Sequence, residues 1–398
     1  LREAIKENWL EGDEGAPQAF IQFFVDNYSE HFKMWNTRPV PLKVRMRSSP
    51  GASWKAQGFK TKQDFYAHPD HQKWLDDFLE YAYKYNWIEP YTMSPKGELT
   101  KITNIEKKKS RVFYIAGVMT DYCGKLVMRH FNKALKDMDF CKIGWTNEYG
   151  GVNELRHELE QFMESKSAEH PELDYVYEES DCTKFDITRI KALFWMACII
   201  RYLMMTPKQR AMYGPFLKQL YFNAIHKWLI DFQGNVIVTE RTNPSGYPAT
   251  SEDNSLDILF HRWYHYCITC DQSAEWFKEN VKMCVVSDDT IVVAPRWTTD
   301  DALLVKSFAH FGRLWKGHPR PPSSDLTGRE FCSIKFLPNG EYTIALEKVF
   351  DSANFRRGLT HQQYMQKLES LAVLVSGSAF WRAAFQEFLE QGGIELDW

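Results

Sequence analysis

Two adjacent carboxylates, Asp288 and Asp289, lie in the stretch KMCVVSDDTIVVAP. Apolar and β-branched runs on both sides of Ser287–Thr290 predict strand, turn, strand. Like charges at a hairpin tip repel, and they are held close most readily with a cation between them. A further acid lies upstream. Tyr175-Val176-Tyr177 runs into EESDCTKFD, which predicts a strand ending near Asp181. A helix is predicted to start near Asp186, where a carboxylate suits the helix dipole, and to run through IKALFWMACIIRYLM. Asp181 and Asp288 could then face each other across a sheet edge, about 4.5–5.5 Å apart if directly opposed. Carboxylate bridges of this kind suit two hard divalent cations about 3.5–4 Å apart. The remaining part is NPSGYPATSEDNS, residues 243–255, a Gly/Pro/Ser loop leading into a helical pattern. Thr250 and Asn254 are four apart and share one helix face. Ser245 is favoured at a turn, and Gly246 tolerates unusual backbone angles, which would let the loop move.

The elements that must hold these residues are legible in outline. Helical patterns occupy QAFIQFFVDNYSEHFKMW, HQKWLDDFLEYAYKYNWI and KQLYFNAIHKWLIDF, with a strand in NVIVTE. QQYMQKLESLAVLVSGSAFWRAAFQEFLEQ reads as further helices. Pro- and Gly-rich punctuation at 48–58, 144–151, 241–248 and 317–328 reads as loops between elements rather than linkers between domains. The longest apolar run, Ala192 to Ile200, is shorter than the about 20 residues a bilayer requires.

In this order, the three parts resemble the palm of viral RNA-dependent RNA polymerases. Motif A of that family matches Asp181 and Asp186. Motif B matches Ser245, Gly246, Thr250 and Asn254, and motif C matches Asp288 and Asp289. SSPGASW, with Ser49, Pro50 and Gly51, resembles motif G, which guides the template. KGELTKITNIEKKKSRVF from Lys96 resembles motif F, the basic finger over the triphosphate. FGRLWK, ending at Lys316, resembles motif D, and GREFCSIKF resembles motif E. The resemblance covers about residues 45 to 335. NPSG with its following Asp-Asn, FGxxxK, EFC and KIGWTNEYGG lean towards the astrovirus, potyvirus and picornavirus side of the positive-strand viruses. One residue departs from that group: Ser287 stands where Gly is usual, as in some other viral polymerases.

The resemblance implies an α+β right-hand fold with fingers, an antiparallel-sheet palm and a small helical thumb. The expected divisions are fingers over 1–170, palm over 171–204, a return to the fingers over 205–240, palm over 241–335 and thumb over 336–398, the last short for the family. It implies template-directed, two-metal nucleotidyl transfer from NTPs to an RNA 3′ end. Asp181 and Asp288 would be primary ligands for Mg²⁺, with Mn²⁺ as the alternative, and Asp289 a secondary one. Lys109 and Arg111 would neutralise the triphosphate. Asn104 stands at the place of an upstream basic residue, for which Lys101 or Lys107 would substitute. Lys316 would be general acid for the leaving pyrophosphate. Asp186 and Asn254, with Ser245 or Thr250 nearby, would read the ribose 2′-hydroxyl. Ser49, Pro50, Gly51 and Gly246 would contact template.

Composition sets bounds. A chain of 398 residues, 44% hydrophobic and 25% charged, can bury a large core and hold two or three subdomains. The net charge of −3 means that RNA would be held by local basic patches such as 96–111, with six Lys/Arg and two Glu. Eight scattered cysteines suggest no disulfide framework and a reducing compartment. His261 and His265, four apart and near Cys267 and Cys270, could bind zinc, but LDILFHRWYHYCITC reads as an amphipathic core helix. The chain does not begin with Met and reads as cut from a polyprotein or as an expressed fragment. The expected partners are RNA template and primer, NTPs, a protein primer and other viral replication proteins. The expected setting is host cytoplasm, at membranes reached through partners. A reverse transcriptase is the runner-up; Asp186 and the Ser-Gly-x3-Thr-x3-Asn pattern argue against it. An inactive palm serving as an RNA-binding scaffold is the third reading.

Overall fold

The computed structural model describes residues 15–95, 112–146, 150–180, 182–183, 185–186, 188–240, 242–344, 346–354 and 358–394. Helices α1 (Gly15–Asn36), α2 (Ala52–Ala56), α3 (Lys62–Ala67) and α4 (His71–Lys84) precede strands β1 (Tyr91–Pro95) and β2 (Val112–Ile115). Then come α5 (Val118–Lys136), α6 (Gly151–Glu169), β3 (Tyr175–Ser180), β4 (Cys182–Thr183), α7 (Lys191–Met204), α8 (Pro207–Ile225), β5 (Lys227–Ile230) and β6 (Val236–Thr239). Next are α9 (Thr250–Trp263), α10 (Ala274–Asn280), β7 (Lys282–Val286), β8 (Asp289–Pro295), α11 (Asp301–His310) and β9 (Leu314–Trp315). The chain closes with β10 (Glu330–Phe331), β11 (Ile334–Phe336), β12 (Tyr342–Ile344), α12 (Leu346–Asn354), α13 (His361–Val375) and α14 (Ala379–Gln391).

The centre is an antiparallel sheet in the order β3-β8-β7. Successive residues of a strand point to opposite faces, and here each face meets its own core. Tyr175, Tyr177, Cys284, Ile291 and Val293 pack with Leu155 and Leu159 of α6 and Phe331, Ile334 and Phe336 of the β10-β11-β12 sheet. Met283, Val285, Val292 and Ala294 face the large helical core, which includes α1, α5, α7, α8 and α9. A sheet covered on both faces gives near-continuous apolar strands, which is why KMCVV and TIVVAP lack polar alternation. On the helix side, Glu178 of β3 is fully buried and takes both guanidinium nitrogens of Arg262 of α9, one at 3.1 Å. A separate sheet, β2-β1-β5-β6, ends at the edge strand β6, where Val236, Ile237 and Val238 are exposed. Residues of α13 and α14 form a small core with Val349 and Ala353.

Two expected boundaries move. The helix after the Asp186 segment begins at Lys191, so Asp186 does not sit at its N-terminus. Instead, residues around Phe185 form a turn: the Thr188 hydroxyl donates to the Phe185 carbonyl, and the buried Arg313 guanidinium bonds both groups. The helix predicted through KQLYFNAIHKWLIDF stops at Ile225, and Lys227–Ile230 is β5. There Tyr91↔Leu229 parallel pairing and a hairpin with β6 override helical propensity. The strand in NVIVTE, the helices over 15–36 and 71–84, and the paired helices near the C-terminus form as expected.

Candidate active site

The hairpin pairs Val286 with Asp289, leaving a two-residue loop of Ser287 and Asp288. Ser287 has φ +59°. Positive φ at the first loop position belongs to the tight hairpin turns that favour Gly, so a Ser there needs compensation. It comes from α9. The Ser287 N–H donates to Ser255 Oγ (3.0 Å), and Ser287 Oγ accepts from Asn254 Nδ2 (2.9 Å). The carboxylates of Asp288 and Asp289 remain exposed beyond this anchor.

Asn254 extends the chain of contacts. Its Oδ1 accepts from Asn243 Nδ2 (2.7 Å), and the Asn243 N–H donates to the Asp186 carbonyl (2.6 Å). Asp186, Asn254 and the Asp288 turn are thus tied through buried amides, while the Asp186 side chain is exposed. The Thr250 hydroxyl turns inward to the carbonyls of Pro244 and Tyr247 (2.7 and 3.0 Å), so it closes the loop. Ser245 Oγ accepts from the Tyr114 N–H of β2 (3.0 Å). Gly246 does not adopt a positive φ, contrary to the expected use of its conformational freedom. Its need is space: a Cβ there would lie 2.0 Å from the Tyr114 carbonyl oxygen. Gly51 has both constraints, φ +92° and a would-be Cβ 2.5 Å from Gly117 Cα. The Pro50 carbonyl accepts from the Val118 N–H, which fixes the segment against the start of α5 (2.9 Å).

Ser49, Ser245, Gly246 and Thr250 open on a cleft of 1330 Å³. Seven basic residues line it: Lys43, Arg45, Lys62, Lys125, Arg129, Lys133 and Lys136. Asp121 offsets Lys62 and Lys125 (2.5 and 2.8 Å), and Glu252 offsets Lys136 (3.1 Å), which leaves the cleft positive. A smaller pocket of 400 Å³ is lined by Asp289, Lys316, Glu179 and Cys332, among others. Lys316 follows β9, whose Trp315 pairs with Cys182. Ser180 pairs with Thr290. Asp181, between Ser180 and Cys182, lies outside the described residues, as do Lys101, Asn104, Lys107, Lys109 and Arg111 of the basic segment.

The sequence profile described as viral RNA-dependent RNA polymerase matches residues 21–352. The chain belongs to the viral RNA-dependent RNA polymerase family. It is 24% identical over 238 residues to non-structural polyprotein 1AB of Turkey astrovirus 2, covering 57% of this chain and 14% of that protein. It is 25% identical over 213 residues to the genome polyprotein of Sweet potato mild mottle virus (isolate Salazar), covering 52% of this chain and 6% of that protein. The chain therefore spans a small part of these curated relatives. A Sicinivirus 3Dpol RNA-dependent RNA polymerase structure superposes with a TM-score of 0.73 at 14% identity, covering 96% of this chain and 82% of that one. The fold is thus the right-hand polymerase fold, and the relatives come from the side of the family to which the motifs lean.

Around Asp253 and Asp257 of α9 lies a buried charge cluster that sequence reasoning missed. Arg189 and Arg313 hold Asp257 (2.9 and 2.7 Å), and Arg201 holds Asp253 (2.7 Å), which also accepts from Tyr221 (2.8 Å). Arg313 thereby joins the segment bearing Lys316 to the turn bearing Asp186. A lone Arg in FGRLWK carries no signal of this. The basic face of α5 did carry one: Lys125, Arg129 and Lys133 recur every four residues. Cys332 had none. Its thiol is pushed up by burial and then by the charges of Asp289 and Asp288, and it lines the smaller pocket together with Asp289. The zinc alternative fails on its own ligands. His265 engages Ser307 Oγ and the Thr298 carbonyl (2.9 and 2.7 Å), and His261 Nδ1 engages the Asp257 carbonyl (2.7 Å).

Proposed function

We propose that this chain performs template-directed nucleotidyl transfer, building RNA from NTPs on an RNA template, with Asp181, Asp288 and Asp289 as its metal-binding carboxylates. The observation that carries the reading is the linkage of the Asp288 turn, Asn254 and the Asp186 turn beside a basic cleft. Members of this family generally use divalent metal ions. Among the described residues no group of three or more metal-ligating side chains gathers. The two described carboxylates are adjacent, exposed and rich in hard oxygen donors, which fits Mg²⁺, with Mn²⁺ as the alternative. When bound, such ions lower the pKa of a primer 3′-hydroxyl and stabilise a pyrophosphate leaving group.

The protein residues have the remaining tasks. Asp186 and Asn254 would read the ribose 2′-hydroxyl, a donor and acceptor together. Lys316, at the pocket that Asp289 also lines, would give a proton to the departing pyrophosphate oxygen. Lys109 and Arg111 would neutralise the triphosphate. Template would run through the cleft past Ser49, Pro50, Gly51 and Gly246, its phosphates facing α5. Fingers would take residues 1–170 and 205–240, palm 171–204 and 241–335, and thumb 336–398. A protein primer, other replication proteins and a membrane-associated cytoplasmic complex are further parts of this proposal. Among the described residues no helix is long and apolar enough to cross a membrane. Nothing in the family match favours reverse transcription.

Primer extension on an RNA template, with Mg²⁺ or Mn²⁺ and with NTPs or dNTPs supplied separately, tests the reading. Extension with NTPs is expected, and Asp288→Ala should abolish it. Extension of equal extent in Asp288→Ala would overturn the assignment of the metal turn. Extension with dNTPs alone would move the chain to DNA synthesis.

A further inference from the structure

The loop leading to Ser245 carries two costly features side by side. Thr242 has φ +88°, a region a β-branched residue rarely occupies. Asn243 is fully buried, and among the described residues its Oδ1 has no hydrogen-bond partner. A buried unpaired acceptor is destabilising. Such strain persists where the surrounding structure enforces it, and it clusters at functional sites. The other polar groups of Asn243 show what it is used for. Its N–H holds the Asp186 carbonyl (2.6 Å), and its Nδ2 holds Asn254 Oδ1 (2.7 Å). With its oxygen fixed, Asn254 presents its amide nitrogen to Ser287 of the metal turn (2.9 Å).

We infer that Asn243 is a positioning residue for sugar selection: it sets the distance between Asp186 and Asn254 and orients the Asn254 amide. It touches no substrate and acts through those two groups. The inference rests on the proposed reading of Asp186 and Asn254 as the 2′-hydroxyl readers. With Asn243 in place, the hydroxyl of an incoming ribose meets a preset pair of groups. With Leu there, the backbone tie to the Asp186 carbonyl stays, but the Asn254 oxygen loses its donor and its amide can rotate relative to the Asp186 turn. Binding that depends on the 2′-hydroxyl then weakens, while binding that does not need it persists.

The test uses the full chain on a primer–template, comparing kcat/KM for an NTP with that for its 2′-deoxy analogue in wild type, Asn243→Leu and Asp186→Ala. Asn243→Leu should lower the preference for the NTP about tenfold, the equivalent of about 1.4 kcal/mol. The loss should fall on the NTP, with the deoxynucleotide efficiency held. Its melting temperature in metal-free buffer should stay near that of wild type, because the unpaired Asn243 oxygen is removed while the Asn254 oxygen loses its donor. Equal losses for both nucleotides would mean a purely structural role and overturn the inference. An unchanged preference in Asn243→Leu, alongside a lowered one in Asp186→Ala, would overturn it while leaving the sugar reading intact. An unchanged preference in both would remove the sugar reading and this inference with it. If the Leu variant fails to fold, Asn243→Ser is read by the same ratio and decides in the same way.

Discussion

Ser287 shows how one residue can be both unfavourable in its own geometry and secured by its neighbours. A non-glycine residue in the left-handed region costs about 1–2 kcal/mol. The two hydrogen bonds to Asn254 and Ser255 together return about as much. Ser287→Gly removes the backbone penalty and the side-chain bond at once. Its stability should stay within about 1 kcal/mol of wild type, measured by chemical denaturation, and its primer extension should persist. A loss of several kcal/mol would show that the hydroxyl does more than hold the turn. At this scale the sequence was legible where residue type alone carries the chemistry. Spacing put Thr250 and Asn254 on one helix and Asp288 and Asp289 at a hairpin turn, and the structure has both arrangements. Gly246 was singled out for the wrong reason, because a close approach to Tyr114 is a tertiary fact that no local pattern contains.

At the scale of elements, α9 and the π-helical turn Tyr264–Thr269 that follows it make the central assembly sensitive to acid. Burial pushes the His261 pKa down to about 3, with the nearby Arg313 charge adding to the effect, and the His265 pKa down to about 4. Both rings stay neutral in the folded chain while the unfolded chain takes up protons below about pH 6.5. Their contribution to stability is therefore complete above pH 6.5 and is lost as pH falls towards 4. The slope should reach about 1.4 kcal/mol per pH unit for each histidine. Denaturation midpoints between pH 7 and pH 5 check this, and His265→Gln should flatten the slope by about half. The same helix illustrates where element reading succeeds and fails. Its apolar spacing identified it, yet the start of α7 was placed five residues early. The pull of Arg313 on Phe185 and Thr188, from more than a hundred residues away, keeps that segment out of the helix.

The whole molecule carries a net charge of −3, so nucleic-acid binding depends on where the positive charges stand. The basic cleft gathers seven of them, three on one face of α5. Each phosphate contact to a single strand contributes about 0.7 to the salt slope of binding. Arg129→Ala combined with Lys133→Ala should lower that slope for single-stranded RNA by about 1.4, with little change in melting temperature. An unchanged slope would place the template elsewhere. Composition gave no hint of this cleft, because excess charge elsewhere in the chain cancels it. The α+β class and the right-hand fold were readable from motif order, whereas the pairing of distant basic residues across the cleft required the folded chain.

The central strand β8 serves two cores at once, Ile291 and Val293 to one side and Val292 and Ala294 to the other. Adding a single residue within β8 would exchange the two sets beyond the insertion and turn each towards packing made for the other. A gene segment that encodes such a strand tolerates substitution far better than a change of length. One inserted codon between those for Asp289 and Pro295 would therefore unmake both cores at once, where most single substitutions would disturb only one.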